Sequence, residues 1–133
     1  MRMLRNNTMN VKEYLARQPN KRTGVKEQDI VRAILQALTT QLGVFCWRNQ
    51  SGVIPIQGKE KTRYIHASAK GSPDILGILP YGKCFGLEVK TPRGKVSAAQ
   101  DAFGTRMVKL GAHYDIVRSV GEAVDAVRLW RNQ

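Results

Sequence analysis

Two short apolar runs, Ile75 to Leu79 and Cys84 to Val89, stand on either side of Pro80-Tyr81-Gly82-Lys83, and no other feature constrains the fold of this chain as much. Pro and Gly at that point favour a tight turn, so the two runs are expected to double back as a β-hairpin. Charge sits at the open end of this hairpin: Asp74 opens the first run, and Glu88 and Lys90 lie near the end of the second. Side chains two apart on a strand share a face, so Glu88 and Lys90 point the same way. The side on which Asp74 falls depends on register. A two-residue loop at Tyr81-Gly82 pairs Asp74 with Val89 and turns it to the opposite face. A three- or five-residue connection, or a bulge near Pro73, makes the acids co-facial. The sequence leaves both arrangements open.

Other elements follow from periodicity. From Glu27 to Leu42, the residues Ile30, Val31, Ile34, Leu35, Leu38 and Leu42 recur at steps of three and four, predicting an amphipathic helix ended by Gly43. Val44 to Trp47 reads as a strand, and Gln50 to Gly71 as an irregular hairpin or long loop. Ser97 to Leu110 is helical, with Ser97 and Gln100 in capping-box spacing and Ala99, Phe103, Met107 and Leu110 on one face, and Gly111 stops it. His113 to Val117 is another strand. Ser119 and Glu122 repeat the capping-box spacing before a last helix that buries Val120, Val124, Val127 and Trp130. The order is helix, strand, hairpin, helix, strand, helix. A short helix over Val11 to Arg17 is set apart by Pro19, Asn20 and Gly24.

A chain of 133 residues, 42% hydrophobic and 24% charged, is expected to form a single soluble domain. Its 22 Lys and Arg against 10 Asp and Glu give a formal charge of +12, which calls for a polyanionic partner, nucleic acid first. A membrane role needs a long basic amphipathic helix or about twenty consecutive apolar residues, and the sequence has neither. The basic start lacks an apolar core and is not expected to act as a secretory signal, which places the protein in a reducing cytoplasm. Cys46 and Cys84, far apart and without a CxxC, argue against a disulfide framework and a zinc finger, and are read as small core residues. Trp47 is expected to pack beneath the sheet and Trp130 on the last helix, with base stacking the less favoured alternative for either. Residues 1–23 form a basic N-terminal arm, and residues 24–133 the domain.

Two carboxylates and a lysine at a sheet end suit a hard divalent cation, which takes oxygen ligands, polarises a phosphate and acidifies bound water. The lysine orients or deprotonates that water and offsets developing negative charge. Taken singly, these residues also fit an exposed Glu88–Lys90 pair beside a turn acid. Their context in an apolar strand favours a site, because unpaired charge is costly there. Glu27 lies three, four and seven residues before Ile30, Val31 and Ile34, on the inward helix face. It is either an acid in need of a partner or a first-turn glutamate favoured by the helix dipole. Gln100 is explained by the capping box alone. Arg48 and Asn49 follow the first strand, where they line the site or simply end the strand. Lys59, Lys61, Arg63 and Lys70 lie on the surface that faces the partner.

Together, the helix glutamate, GSPD, LEVKTPRGKVSAAQ and GAHYDIVRS resemble the VRR-NUC (virus-type replication-repair nuclease) domain of the PD-(D/E)xK superfamily over about residues 24 to 128. Gly71 before the PD, the Gly-Lys after the ExK, and Gln100 ten residues beyond Lys90 make this more specific than a bare PD…ExK. The resemblance implies catalytic Glu27, Asp74, Glu88, Lys90 and Gln100. It implies Mg²⁺ or Mn²⁺ held by Asp74, Glu88, the Val89 carbonyl and Glu27; DNA contacts are expected from the basic residues Arg48, Lys59, Lys61, Arg63, Lys70, Arg93 and Lys95. The implied fold is α/β, a restriction-endonuclease-like sandwich whose central mixed β-sheet is flanked by helices. The implied activity is hydrolysis of DNA phosphodiester bonds by a structure-selective endonuclease, resembling phage or bacterial four-way (Holliday) junction resolvases that act as homodimers on branched DNA. Competing readings are a basic DNA-binding module without nuclease activity, and a flap or sequence-specific nuclease.

Overall fold

The computed structural model describes residues 24–50 and 52–133. The basic arm of residues 1–23, with its expected short helix, lies outside the described residues. The chain forms α1 (Glu27–Leu42), β1 (Phe45–Arg48), β2 (Val53–Gln57), β3 (Thr62–His66), β4 (Ile75–Ile78), β5 (Cys84–Val89), α2 (Ala98–Lys109), β6 (His113–Val117) and α3 (Val120–Arg131). β1, β4, β5 and β6 lie in that order in one sheet, antiparallel except for the parallel β5–β6 pair, which α2 connects. The result is an α/β fold with a mixed central sheet flanked by helices, as the resemblance implies.

Phe85 and Gly86 show how the two faces are used. Successive strand residues point to opposite sides. The Phe85 ring lies 5.9 Å from Trp130 of α3, in a core with Ile34 and Leu38 of α1, Ile75, Leu87 and Val89 of the sheet, and Val124 and Val127 of α3. Gly86 faces the other way, where a β-carbon would press on Pro73 and on the Met107 thioether of α2. So α1 and α3 share one face and α2 takes the other.

The helices end as their sequences dictate. Gly43, at φ 60°, returns its N–H to the Leu38 and Thr39 carbonyls, and Arg131 donates to the Leu42 carbonyl at 2.7 Å. Ser97 and Gln100 form a complete capping box on α2. The repeat of this box at α3 is only half made. Ser119 Oγ accepts the Glu122 N–H, but the Glu122 carboxylate turns to the Arg118 N–H at 2.7 Å.

Three local expectations change. The segment from Gln50 to Gly71 contains a regular ribbon, β2 paired with β3 in register Val53↔His66 to Gln57↔Thr62, in place of an irregular loop. On α2, Phe103 and Met107 are only half-buried and Leu110 is exposed; Gly104 is the buried residue, because the Tyr114 ring of β6 packs where a side chain would stand. Cys84 and Trp47 are exposed, contrary to the core positions expected for them, while Cys46 packs against the core. Among the described residues no helix is long and apolar enough to cross a membrane.

Candidate metal-dependent active site

The connection between β4 and β5 settles the register. Leu79 N–H donates to the Lys83 carbonyl at 2.8 Å, closing a three-residue connection in which Tyr81 (φ 66°) and Gly82 (φ 74°) are both left-handed. Ile78 then pairs with Cys84 and Ile75 with Leu87. One further step sets Asp74 opposite Glu88, so the two acids are co-facial without a bulge.

Asp74 is held from both sides. Its carbonyl accepts the Asn49 N–H at 2.7 Å, and its Oδ2 accepts the Val89 N–H at 2.8 Å. The Asn49 amide donates to Ser72 Oγ and to the Pro73 carbonyl, each at 2.9 Å, and Ser68 and Ser72 hydroxyls lie 2.6 Å apart. Gly71, at φ 82°, lets this loop pass directly over the Ala99 carbonyl at the start of α2, where no β-carbon fits. Asn49 therefore organises the loop that presents Asp74, a role its place after the first strand hints at without specifying.

Glu88 is only 2% exposed. Its Oε1 accepts the Gln100 Nε2–H at 2.7 Å and lies 3.4 Å from Lys90 Nζ, while its Oε2 is buried and has no hydrogen-bond partner among the described residues. Burial first, and then the charge of Asp74, push the Glu88 carboxyl up to about 7, against the pull of Lys90. Lys90 Nζ also stands 3.8 Å from Glu27 Oε1. Gln100 serves two purposes, because its Oε1 accepts the Ser97 N–H at 2.9 Å while its Nε2 holds Glu88.

The structure thus brings Asp74, Glu88, Lys90, Gln100 and Glu27 to one end of the sheet. Glu27 arrives as the ion partner of Lys90. Among the described residues no three His, Cys, Asp or Glu side chains converge as a metal-binding group, so Glu27 does not join the two strand acids in a three-carboxylate cluster. The unpartnered Glu88 Oε2, facing a second carboxylate, is nonetheless the environment a hard divalent cation satisfies.

The basic residues form separate groups. Lys59, Lys61 and Arg63 belong to the exposed ribbon, and Lys70 to the turn before Gly71. Arg93 and Lys95 lie exposed on the loop after Lys90. Arg48 ends β1 and, by alternation along the strand, points to the face opposite Asp74 and Glu88. Sequence reasoning missed Arg118. Its Nη1 donates to the Thr91 and Gly94 carbonyls at 2.6 and 2.9 Å, clasping the loop that follows Lys90. No local pattern marks that contact, since donor and acceptors lie more than twenty residues apart.

Compared with family models and with curated proteins, the chain matches none of them.

Proposed function

We propose that this protein is a metal-dependent DNA endonuclease, acting on branched DNA and on four-way junctions in particular, as a homodimer. The observation that carries the reading is the buried Glu88 carboxylate. It faces Asp74, keeps one oxygen without a donor, and is gripped on the other by Gln100 and Lys90. Two carboxylates held this close are relieved by a shared proton or by a bound cation, and a divalent ion neutralises both at once. The net charge of +12 supports a polyanionic substrate, and the resemblance to VRR-NUC nucleases supports DNA, junction preference and dimerisation.

In this reading, Asp74, Glu88 and the Val89 carbonyl hold Mg²⁺ or Mn²⁺. The ion supplies Lewis-acid charge and lowers the pKa of bound water. The protein's own groups do the rest. Gln100 holds Glu88 Oε1, so Oε2 is the oxygen that would be left to bind. Lys90, steadied by Glu27 and Glu88, places an ammonium where the phosphate gains negative charge as water oxygen bonds to phosphorus and the bridging P–O bond breaks. Arg93 and Lys95, on the loop clasped by Arg118, grip neighbouring phosphates.

The test is incubation of the full chain with a four-way junction, a 5′ flap and plain duplex in Mg²⁺ or Mn²⁺, with EDTA controls. Cleavage of the junction that EDTA abolishes is the expected result. Binding with no cleavage of any of the three substrates would overturn the nuclease reading in favour of a DNA-binding module.

A further inference from the structure

Helix α2 covers only part of its face of the sheet. It reaches Gly86 through Met107 and Tyr114 through Gly104. Beyond it, the row Phe45–Ile78–Cys84 is exposed across three strands, and Trp47 with its partner Leu76 forms the next row. Phe45 is 69%, Trp47 42% and Ile78 40% exposed, and the two aromatic rings stand 5.5 Å apart, tilted by 55°. This shelf lies on the same face as Asp74 and Glu88. Asp74 directly precedes β4, two residues before Leu76, so the register carried one step on makes Trp47 the diagonal cross-strand neighbour of Asp74, a relationship that spans about 7–8 Å.

We propose that the Phe45–Trp47 shelf stacks unpaired bases of the DNA strand whose phosphate lies at Asp74 and Glu88. The placement of that strand rests on the nuclease reading. Three features select this occupant. Exposed aromatic faces bind bases whatever their sequence, because every base has a π-face. Within β1 and β4 no side chain is acidic, the nearest acids being Asp74 and Glu88 of the proposed metal site. The chain's formal charge of +12 favours a polyanion as the occupant. The shelf is also continuous with the acids, so a strand need not leave the sheet to reach both. Bases at a branch point are the ones free to turn onto it.

The test uses the full chain in EDTA, so that no cleavage occurs, with a short oligothymidylate and a blunt duplex as probes. Acrylamide is expected to quench Trp47 in the free protein. Resistance would mean that residues 1–23 or a second copy already cover the shelf, and would overturn the proposal. Oligothymidylate is expected to quench the emission of the wild type, with the Trp47 share lost in Trp47→Leu. Phe45→Leu and Trp47→Leu are each expected to weaken oligothymidylate binding about tenfold, equal to about 1.4 kcal/mol, and duplex binding less than about twofold. Both side chains are exposed, so both variants are expected to melt like the wild type. Equal losses on the two DNAs, an unchanged quench in Trp47→Leu, or no binding of oligothymidylate would each refute stacking. A protein that stacks bases but never cleaves would keep this inference and lose the nuclease reading; cleavage without a Trp47 signal would do the reverse.

Discussion

Gln100 donates its Nε2–H to Glu88 Oε1 at 2.7 Å while its own Oε1 accepts the Ser97 N–H at 2.9 Å, so one amide both caps α2 and orients a buried acid. A glutamate can serve the cap but not the acid. Gln100→Glu is therefore expected to keep the capping box and set two carboxylates against each other. A buried acceptor left without its donor costs about 1–3 kcal/mol. The loss should be larger at pH 8 than at pH 5.5, where one proton can bridge the pair. Thermal melts at the two pH values check this, and single-turnover cleavage of a junction is expected to fall at least about tenfold.

Glu88 itself gives the metal-free protein a pH dependence of definite sign. Its carboxyl titrates near 7 in the fold, raised from an ordinary 4.5 chiefly by burial and then by Asp74. A raised acid contributes stability in full below its unfolded value and loses it as pH climbs through the folded value. Melting temperature in EDTA should fall between about pH 5 and 8, and Glu88→Gln should flatten that fall.

Metal binding should run the other way, because a cation needs the carboxylate and must displace its proton. Apparent Mn²⁺ affinity is expected to rise with pH and level off above about 7, with proton release shrinking over the same range. Calorimetric titrations in two buffers of different ionisation heat measure both quantities.

Asp74→Asn, Glu88→Gln and Lys90→Met should each lower cleavage by at least about a hundredfold, or about 2.7 kcal/mol of barrier. The amide variants are chosen because Asp74 also accepts the Val89 N–H, and an asparagine keeps an acceptor there. Duplex affinity in EDTA should change little. An active Lys90→Met would remove the lysine from the chemistry.

Asn49→Ala deletes two donated bonds from the loop before Asp74. At about 1 kcal/mol per net hydrogen bond, a loss of about 1–2 kcal/mol in stability is expected. The Asp74 carbonyl contact comes from the Asn49 backbone and survives, so Mn²⁺ should still bind, with lower affinity. Chemical denaturation and Mn²⁺ titration separate the two effects.

The helices, their caps and the hairpin were legible in the sequence because each depends on neighbours within a few residues. The apolar steps from Ile30 to Leu42, the Ser97–Gln100 box and Gly43 are contacts a chain makes with itself over one turn. That Glu88 and Lys90 come together was legible for a similar reason: two charges at alternate positions in an apolar strand share one face. What tertiary structure alone decided begins with register. Sequence allowed Asp74 on either side, and the choice fell to a three-residue connection that places Tyr81, a residue type with little preference for it, in a left-handed conformation. Tertiary structure also decided that Gln100 holds Glu88 as well as its helix, that Glu27 meets Lys90, and that Arg118 clasps the loop beside them. Those partners come from different elements, and no spacing encodes them. Finally, it decided the fate of Trp47. A tryptophan in a strand reads as core, but burial depends on whether a helix lies over it, and α2 packs on Gly86 and Tyr114 and leaves Trp47 facing outward.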